Sequence, residues 1–443
     1  MTLDRAALLA LDRAHVWHPY TPAHDDGLPP LVVARAEGAR FWDVDGRSFI
    51  DANSSWWVAS LGHRHPRLLA ALSRQSQELT HIALGGLTHE PATLLARELV
   101  ETMPGYRDTT LAADRRLARV FYSDDGSTSV EVAIKLCAQY WAQSTRAKRT
   151  RFIALSGAFH GETVGATSVG GIDAFRAVYG PLLFDVIRTP SPHDARGWER
   201  AVDAIVRELD AHRDTIAAVV VEPIVQGAAG MRVYEPAFLR AIREACDRSD
   251  TFLVADEVFT GLGRTGTFWA CEHAQVVPDV LCTAKALSGA LFPFAATVAS
   301  ERIYDGFRGG RDRAFLYGHS YCGNPLGCAV AREVLAIYRE ERVLDRVAAI
   351  APKIRAAFEA LAEEHPSLAR PRAIGAIGAI DLGAQGYLDD KGWRVYEAAL
   401  ARGVYLRPLG DTVYVAPPLV IDDPTLDALL DGVTQSIREA IKR

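Results

Sequence analysis

Six short, continuous apolar runs alternate with amphipathic stretches through the middle of the chain, and this alternation most restricts the possible folds. The runs are RVFYS (119–123), RFIAL (151–155), AAVVVEP (217–223), FLVADE (252–257), VLCTAK (280–285) and FAATVAS (294–300). Strands that are apolar along their whole length are buried on both faces of a sheet. The sequence therefore predicts an α/β fold in which helices cover a mainly parallel sheet, of the seven-stranded type.

The length of 443 residues predicts two domains, because it exceeds what one small core needs. The pattern of alternating runs is confined to the middle of the chain. We expect residues 66–335 to form the large domain, and residues 1–65 and 336–443 to build one smaller α+β domain against it. Two strand-like runs, AIGAIGAIDL (373–382) and TVYVAPPLV (412–420), lie in the C-terminal part.

Composition and charge disfavour several classes of function. With 49% hydrophobic and 23% charged residues the chain is typical of a globular protein, and no apolar stretch is long enough to span a membrane. Charges interrupt the N-terminal segment, so we expect no export signal and a cytoplasmic location. The net charge of −6 disfavours nucleic-acid binding. We expect the basic run around Arg146, Lys148, Arg149 and Arg151 to be a solvated loop.

Six cysteines are scattered along the chain without a CxxC pair, at positions 137, 246, 271, 282, 322 and 328. This spacing argues against a zinc knuckle and against a disulfide framework. We therefore expect buried thiols and no metal site.

The segment SDDGSTS (123–129) lies between a predicted strand and a predicted helix. Apolar residues recur at helical spacing from Val130 to Trp141, which predicts a helix directly behind the strand. Backbone amides at the start of such a helix can bind a phosphate group. Gly126 would allow a close approach, and Ser127 would add a hydroxyl donor. An ordinary helix N-cap also explains these residues, since Asp, Ser and Thr are common there.

Asp256 and Lys285 each end an apolar run. A carboxylate at the end of a buried strand must be paired or serve a ligand, because an unpaired buried charge is too costly. A salt bridge would also account for Asp256. A lysine in a pocket loses its proton more readily and can condense with an aldehyde. An acid and a lysine at strand ends suit pyridoxal 5′-phosphate (PLP), in which the carboxylate keeps the pyridine nitrogen protonated.

Four motifs in a fixed order carry a family resemblance. They are VVVEPIVQGAAGM (219–231), VADEVFTGLGRTG (254–266), TAKALSGA (283–290) and GHSYCGNPLGCAVA (318–331). These stretches resemble the class III aminotransferases, a fold-type I family of PLP enzymes. The resemblance implies that Lys285 holds PLP as a Schiff base and that Asp256 contacts the ring nitrogen. Phe159 and Val258 would then pack on the two faces of the ring.

The same resemblance implies a phosphate site and a homodimer. Gly126 and Ser127 would hold the phosphate, and Ser320 would reach it from the neighbouring subunit. The implied cofactor contacts are Gly126, Ser127, Phe159, His160, Glu222, Asp256, Val258, Lys285 and Ser320. Because the active sites would be shared, we expect the homodimer to be the catalytic unit.

The ends of the chain resemble the branch of this family that aminates 8-amino-7-oxononanoate in biotin biosynthesis. The stretches are WHPYT (17–21), NSSWWVASLGHRHP (53–66), GGLTHEPA (85–92) and GVYLRPLGDTVYVAPP (403–418). The substrate contacts implied are Tyr20, Trp56, Trp57, Gly318, Arg264 and Arg407. The aromatic residues suit a long aliphatic chain, and the Arg407 guanidinium suits the substrate carboxylate. The alternatives are surface aromatics, a helix-adjacent arginine at position 407 and a structural salt bridge for Arg264.

Two residues depart from this branch. Where the branch often has YHGD, this chain has FHGE, with Phe159 in place of tyrosine and Glu162 in place of aspartate. Ring stacking survives this change, but a phenol hydroxyl is lost and a carboxylate lies one methylene further out. The amino donor is open. We favour S-adenosylmethionine because Trp56 and Trp57 could stack on adenine and attract a sulfonium cation. GHSYCGNPLGC and the stretch 168–182 look closer to lysine-using relatives.

Other functions fit the sequence less well. An ω-amino acid or diamine transaminase using pyruvate would keep the chemistry, but the tryptophan pair and GVYLRP argue against it. A catalytically silent dimer that only binds partners is disfavoured because Asp256 and Lys285 are intact. A nicotinamide dehydrogenase is disfavoured because no GxGxxG motif opens a first βα unit.

Overall fold

The structure is a computed structural model that describes residues 4–22, 29–144, 148–193, 197–383 and 390–442. The strands are β1 (Val33–Glu37), β2 (Arg40–Asp43), β3 (Ser48–Asp51), β4 (Leu117–Ser123), β5 (Arg151–Leu155), β6 (Val186–Thr189), β7 (Ile216–Val221), β8 (Val225–Gln226), β9 (Arg232–Val233), β10 (Phe252–Asp256), β11 (Val280–Thr283), β12 (Ala295–Ser300), β13 (Ala369–Ile374), β14 (Ile377–Asp381), β15 (Val404–Tyr405) and β16 (Thr412–Val415).

Helices occupy much of the remaining chain. They are α1 (Arg5–His15), α2 (Ser54–Trp57), α3 (Pro66–Ser76), α4 (Glu90–Val100), α5 (Gly126–Ala142), α6 (Val164–Val169), α7 (Asp173–Arg176), α8 (Trp198–Ala211), α9 (Pro236–Ser249), α10 (Glu301–Asp305), α11 (Pro325–Glu340), α12 (Val343–Glu364), α13 (Lys391–Ala401) and α14 (Asp423–Ala440). Among the described residues, no helix is both long and apolar enough to cross a membrane.

A seven-stranded sheet forms the centre of the molecule, in the order β4-β12-β11-β10-β7-β5-β6. Strand β12 is antiparallel to both of its neighbours, and the other neighbouring pairs are parallel. Each of the six apolar runs contains one strand of this sheet. The predicted α/β fold with a mainly parallel sheet is therefore confirmed.

Successive residues of the central strands pack on opposite faces of the sheet. In β7, Val219 and Val221 belong to one apolar cluster, together with Phe238 and Ile242 of α9. Val220 belongs to the cluster on the other face, which contains the apolar side of α5. Both faces are covered, which explains why the strands carry apolar residues without alternation.

The sheet brings together the carboxyl ends of β7, β10 and β11. Strands β10 and β11 are parallel neighbours, and Asp256 is paired in register with Cys282. Lys285 follows β11 after two more residues. The topology thus sets Asp256 and Lys285 at one edge of the sheet, where open α/β sheets bind ligands.

The chain ends form two further sheets. Strand β15 joins the N-terminal strands in the order β1-β2-β3-β15, with Val404 opposite Ile50. Strands β13, β14 and β16 form the other sheet. Both ends of the chain thus contribute to one sheet, while the domain boundaries at residues 66 and 335 stay a prediction.

The run AIGAIGAIDL, which we read as one strand, is two. Strands β13 and β14 pair in antiparallel fashion and Ile374 lies opposite Ile377. Gly375 between them has a φ of +52°, and a Cβ atom there would lie 2.3 Å from the carbonyl carbon of Thr265. The turn therefore needs glycine for both its backbone conformation and its space. Strand β6, a partly buried edge strand, was not predicted either.

The basic run is not the solvated loop we expected. Arg149 is 1% exposed, its guanidinium donates to the carbonyl oxygens of Ser249 and Asp250, and it lies 4.4 Å from the ring centre of Trp141. Backbone acceptors and an aromatic face thus compensate the buried cation. Lys148 is exposed as expected, and Arg146 lies outside the described residues.

Five of the cysteines are buried, as expected, whereas Cys322 is half-buried. Cys322 lies in the segment that precedes α11, next to the exposed residues Ser320 and Tyr321. The expectation of a buried thiol is therefore wrong at this position.

Candidate active site

Lys285 follows β11 and begins a single 3₁₀ turn, with a φ of +41°. Its side chain is half-buried, and Nζ lies 4.8 Å from the ring centre of Trp57 and 6.0 Å from that of Phe259. Burial lowers the pKa of Lys285 to about 8, although the charges of Asp256 and Glu222 act to raise it. A substantial fraction of the amine is therefore neutral near pH 8, which is the form that attacks a carbonyl.

Asp256 is buried at the end of β10 and pairs with His160. One carboxylate oxygen lies 2.7 Å from His160 Nδ1, and the other accepts a hydrogen bond of 3.1 Å from the Val258 amide. Burial alone would lower the pKa of His160, but the hydrogen bond and the charge of Asp256 outweigh it and raise that pKa. His160 Nε2 has no hydrogen-bond partner among the described residues. Because Nδ1 contacts one carboxylate oxygen and the Val258 amide donates to the other, the Asp256 carboxylate is held in one orientation.

Glu222 follows β7 and joins two loops of the site. Its carboxylate accepts backbone hydrogen bonds of 2.9 Å from both Phe159 and Gly227. Burial raises the pKa of Glu222 to about 7. The Glu222 side chain thus fixes the position of the Phe159 backbone. Its carboxylate also adds negative charge near Lys285.

Helix α5 begins directly behind β4, as predicted. Asp125 is the N-cap and forms a capping box with Thr128, in which each side chain accepts a hydrogen bond from the backbone amide of the other. No described acceptor lies within hydrogen-bond distance of the Gly126 and Ser127 amides. Both alternatives that the sequence left open thus hold in part: the segment has an ordinary cap, and two amides stay available to an anion.

These groups surround one cavity of about 460 Å³, a size typical of small-molecule sites. The expected site residues that line it are Trp57, Gly126, Ser127, Phe159, His160, Glu222, Asp256, Val258 and Lys285. A Cβ atom on Gly126 would lie 2.6 Å from Val258 Cγ1. The cavity is thus narrow beside the start of α5, and only glycine fits there without displacing Val258.

A row of aromatic rings connects the cavity to the surface. Phe159 lies 5.5 Å from Phe175, Phe175 lies 5.7 Å from Tyr20, and Tyr20 lies 5.4 Å from Trp56, each between ring centres and each edge to face. The Tyr20 hydroxyl donates to the Glu162 carboxylate. We call the rings of Phe159, Phe175, Tyr20 and Trp56 the aromatic row.

Trp56 and Trp57 have different surroundings. The Trp57 ring is buried, packs 4.5 Å from Phe259, and donates from Nε1 to the Tyr414 hydroxyl at 3.0 Å. Trp56 is 40% exposed and belongs to the aromatic row. Since their rings contact different residues, the two tryptophans do not form a single stacking face.

Arg407 lies at the outer end of the aromatic row. Its guanidinium carbon lies 5.5 Å from the ring centre of Trp56 and 5.2 Å from that of Trp393, and Nη2 donates to the Tyr20 carbonyl oxygen. Among the described residues, no carboxylate lies within ion-pair distance of Arg407. Its fork therefore has donors available for an anionic ligand.

Arg264 does not line the cavity. It is 3% exposed, and Nη1 donates to the carbonyl oxygens of Ala376 and Pro417 at 3.3 and 2.8 Å. Burial lowers the pKa of Arg264 to about 10. These contacts are structural, but the partners are backbone carbonyls and not the carboxylate of a salt bridge. A contact of Arg264 with substrate stays a prediction.

Gly318 and Ser320 lie on the surface of the chain, outside the cavity lining. The neighbouring His319 contacts Asp124, which lines the cavity, with 2.6 Å between His319 Nδ1 and Asp124 Oδ2. The segment is therefore close to the site within its own chain, while Ser320 faces outward.

Sequence analysis missed three residues of the site, Phe175, Phe259 and Tyr414. Phe259 follows Val258 directly, so its place in a motif could have identified it. Tyr414 and Phe175 also lie in stretches named above, 403–418 and 168–182, but only the folded chain brings Phe175 to Tyr20 and Tyr414 to Trp57.

Comparison with known proteins identifies related chains. The profile of the family described as aminotransferase class-III matches residues 21–437. The chain is 42% identical to the adenosylmethionine-8-amino-7-oxononanoate aminotransferase of Nitratidesulfovibrio vulgaris, over 98% of this chain and 82% of that protein.

Two solved structures are similar over almost the whole chain. The aminotransferase of the same description from Methanocaldococcus jannaschii has a TM-score of 0.91 and 31% identity, covering 98% of this chain and 99% of that one. An amine transaminase from an uncultivated Pseudomonas species, solved in its PLP-bound form, has a TM-score of 0.87 and 30% identity, covering 96% and 98%.

Proposed function

Because the chain belongs to the class-III aminotransferases, a family of PLP-dependent transaminases, we propose that it aminates 8-amino-7-oxononanoate to 7,8-diaminononanoate in biotin biosynthesis. The observation that carries this proposal is that five curated relatives at 34–42% identity, matched over nearly the whole chain, are all named for this acceptor. A cytoplasmic location stays a prediction from the sequence.

The cavity fits PLP at both of its ends. At one end, the available amides of Gly126 and Ser127 at the start of α5 would hold the phosphate group. At the other end, the Asp256 carboxylate would hold the protonated ring nitrogen. Phe159 and Val258 line the cavity and would pack on the two ring faces. When bound, PLP supplies an aldehyde carbon to which the amino group becomes attached. Its pyridine ring accepts electrons as a proton leaves the substrate.

Lys285 would attach the cofactor and move the proton. Its lowered pKa, about 8, leaves part of the side chain as a neutral amine, which can form the bond and accept a proton from the amino-bearing carbon. Trp57 and Phe259 pack beside Nζ and limit access of water. The buried Asp256–His160 pair keeps a negative charge fixed where the ring nitrogen would lie.

Arg407 and the aromatic row would bind the acceptor. The acceptor is a long aliphatic chain with a terminal carboxylate, so it needs an apolar surface that ends at a cation. Phe175, Tyr20 and Trp56 offer that surface, and Arg407 lies at its outer end. This arrangement supports Arg407 as the carboxylate ligand.

S-adenosylmethionine is our proposed amino donor. Since Trp57 is buried, Tyr20 and Trp56 are the rings that adenine and the sulfonium group would contact. Glu162, which accepts the Tyr20 hydroxyl hydrogen bond, adds a negative charge beside them. The names of the relatives support this donor, and lysine is the alternative that the test must distinguish.

A homodimer with shared sites is the proposed catalytic unit. No residue of α1 is buried within the chain. Trp17 is 88% exposed, Leu316 is 86% exposed and Tyr321 is 63% exposed. Apolar groups so exposed are expected to pack against another chain. Ser320 lies between Leu316 and Tyr321 in sequence and would reach the phosphate bound by the neighbouring subunit.

The function is tested by incubating the purified, PLP-loaded protein with 8-amino-7-oxononanoate and either S-adenosylmethionine or lysine. We expect 7,8-diaminononanoate, measured by mass spectrometry, with S-adenosylmethionine. Product with lysine alone would overturn the donor and leave the acceptor in place. Amination of pyruvate by ω-amino acids, without diamine formation, would overturn the acceptor.

Two variants serve as controls. Lys285→Ala should retain some cofactor and lose nearly all turnover, because one group both attaches the cofactor and transfers the proton. Lys353→Ala should leave turnover unchanged, since Lys353 is a half-buried lysine outside the cavity lining that is paired with Asp423 and Asp427.

A further inference from the structure

We propose that Asp124, His319 and Cys322 form a binding site for zinc. The ligand atoms of these three side chains lie within 4.8 Å of one another. All three side chains are half-buried within the single chain. Carboxylate, imidazole and thiolate together are a donor set typical of zinc. This site goes beyond the proposed reaction and differs from the expectation, drawn from the cysteine spacing, that the chain holds no metal.

The histidine already has the outer contact that metal-bound histidines use. His319 Nδ1 faces Asp124 Oδ2 at 2.6 Å, and Nε2 lies 3.0 Å from the Tyr317 hydroxyl. A histidine that binds a metal through one nitrogen usually donates from the other nitrogen to a fixed partner. Tyr317 would be that partner, and its ring is itself held 4.4 Å from Lys135 Nζ.

The cysteine also has a fixed orientation. Cys322 Sγ accepts a hydrogen bond of 3.1 Å from the His319 amide, and the Cys322 amide donates to the His319 carbonyl oxygen at 3.2 Å. The two residues thus form one tight turn with both side chains on the Asp124 side. The hydrogen bond from the His319 amide orients Sγ, which must lose its proton to bind a metal.

Binding would replace hydrogen bonds by metal–ligand bonds. The Cys322 S–H bond breaks, its proton passes to solvent, and an S–Zn bond forms. The proton on His319 then sits on Nε2 and is donated to the Tyr317 hydroxyl oxygen, while Nδ1 and an Asp124 oxygen complete the protein ligands. Water takes the fourth position, as is usual in zinc sites with three protein ligands. Since Asp124 also lines the main cavity, the metal would adjoin the phosphate end of the active site.

The zinc content of the PLP-loaded protein tests this site. This measurement does not depend on which substrates the enzyme uses. After dialysis against micromolar zinc chloride, mass spectrometry should find about one zinc per chain in the wild type. Cys322→Ser and His319→Gln should lose it. Tyr317→Phe, which removes only the outer contact, should weaken binding roughly tenfold.

A matched control and a second readout separate this site from a plain hydrogen-bond network. His81 stacks on Tyr321 in the same region, and its ring centre lies 4.7 Å from that of Tyr321; His81→Gln should keep the zinc. All six cysteines lie within the described residues, and Cys322 alone is not fully buried. Cobalt(II) bound in place of zinc should therefore give a thiolate-to-metal charge-transfer band that Cys322→Ser lacks. Wild-type protein without zinc, or equal zinc in Cys322→Ser, would overturn the proposal.

Discussion

At the scale of single residues, Lys285 shows how burial and charge act on one amine in opposite directions. Desolvation disfavours the ammonium form, while Asp256 and Glu222 favour it, and the pKa falls to about 8. A cation kept in such surroundings at neutral pH reduces the stability of the fold. Reactivity at this position therefore carries a cost in folding free energy.

We predict that Lys285→Met stabilises the cofactor-free protein at pH 7, by up to about 3 kcal/mol. Between pH 8 and pH 10.5 the unfolded chain binds the lysine proton while the folded chain does not, so wild-type stability rises with pH there. The advantage of the variant should therefore shrink over this window. Denaturant unfolding at pH 7 and pH 10 measures the difference in free energy of unfolding between the variant and the wild type. If this difference were the same at both pH values, the lowered pKa of Lys285 would be contradicted.

Arg407 is a second residue whose surroundings suggest a role. We predict that Arg407→Ala raises KM for 8-amino-7-oxononanoate by roughly 10- to 150-fold, since a charge-assisted pair contributes on the order of 1.5–3 kcal/mol. Initial rates at varied acceptor concentration measure this. Arg402→Ala is the matched control, because Arg402 pairs with Glu439 at the surface. If the methyl ester of the acceptor responded as strongly as the acid, Arg407 would not bind the carboxylate.

At the scale of secondary-structure elements, the step from β4 into α5 forms the end of the cavity that we propose to hold the phosphate. The capping box of Asp125 and Thr128 fixes where the helix begins, and this start leaves the Gly126 and Ser127 amides directed at the cavity. Val258, which follows β10, packs against Gly126 from the other side. Two neighbouring loops thus set the width of the cavity together.

We predict that Gly126→Ala weakens PLP binding, because its Cβ atom would lie 2.6 Å from Val258 Cγ1. Inserting a methyl group into a packed site costs typically about 1–3 kcal/mol, which corresponds to roughly 5- to 150-fold in the dissociation constant. Titration of the cofactor-free protein with PLP, followed by absorbance, measures it. Gly180→Ala should bind PLP normally, since a Cβ atom there meets nothing within 4 Å. Unchanged affinity in Gly126→Ala would show that the loop carrying Val258 moves freely.

At the scale of the whole molecule, the proposed dimer would complete the active site. One chain supplies Lys285, Asp256 and the start of α5 to its own cavity. Ser320 and the apolar residues Leu316 and Tyr321 lie on the surface of the same chain. If Ser320 serves the neighbouring cavity, neither chain has a complete site alone.

Subunit mixing tests this arrangement. We predict that Lys285→Ala and Ser320→Asp are each nearly inactive alone, the second because its carboxylate would repel the phosphate. Refolded together, half of the dimers are mixed, and one site of each mixed dimer is intact, so activity should recover to about a quarter of the wild type. Each variant refolded alone is the control. No recovery in the mixture would mean that Ser320 acts within its own chain, and full activity of Ser320→Asp alone would mean that it has no role.

The amino-acid sequence alone determined six of the seven strands of the central sheet and the two groups at its edge, Asp256 and Lys285. Continuous apolar runs predict strands buried on both faces, and all six runs contain strands of one sheet. Asp256 and Lys285 were identified because each ends such a run, and parallel neighbouring strands bring their ends together. Because these features depend on residues that are close in sequence, periodicity and motifs were enough to predict the strands and the two residues.

The tertiary structure alone decided which distant side chains meet and which charges are buried. The aromatic row joins residues 20, 56, 159 and 175, and no local pattern predicts such contacts. Arg149 was expected in a solvated loop and Arg264 at the substrate, yet both are buried where backbone carbonyls from distant segments accept their hydrogen bonds. Burial depends on what packs against a residue from elsewhere in the chain, and that is settled only when the whole chain has folded.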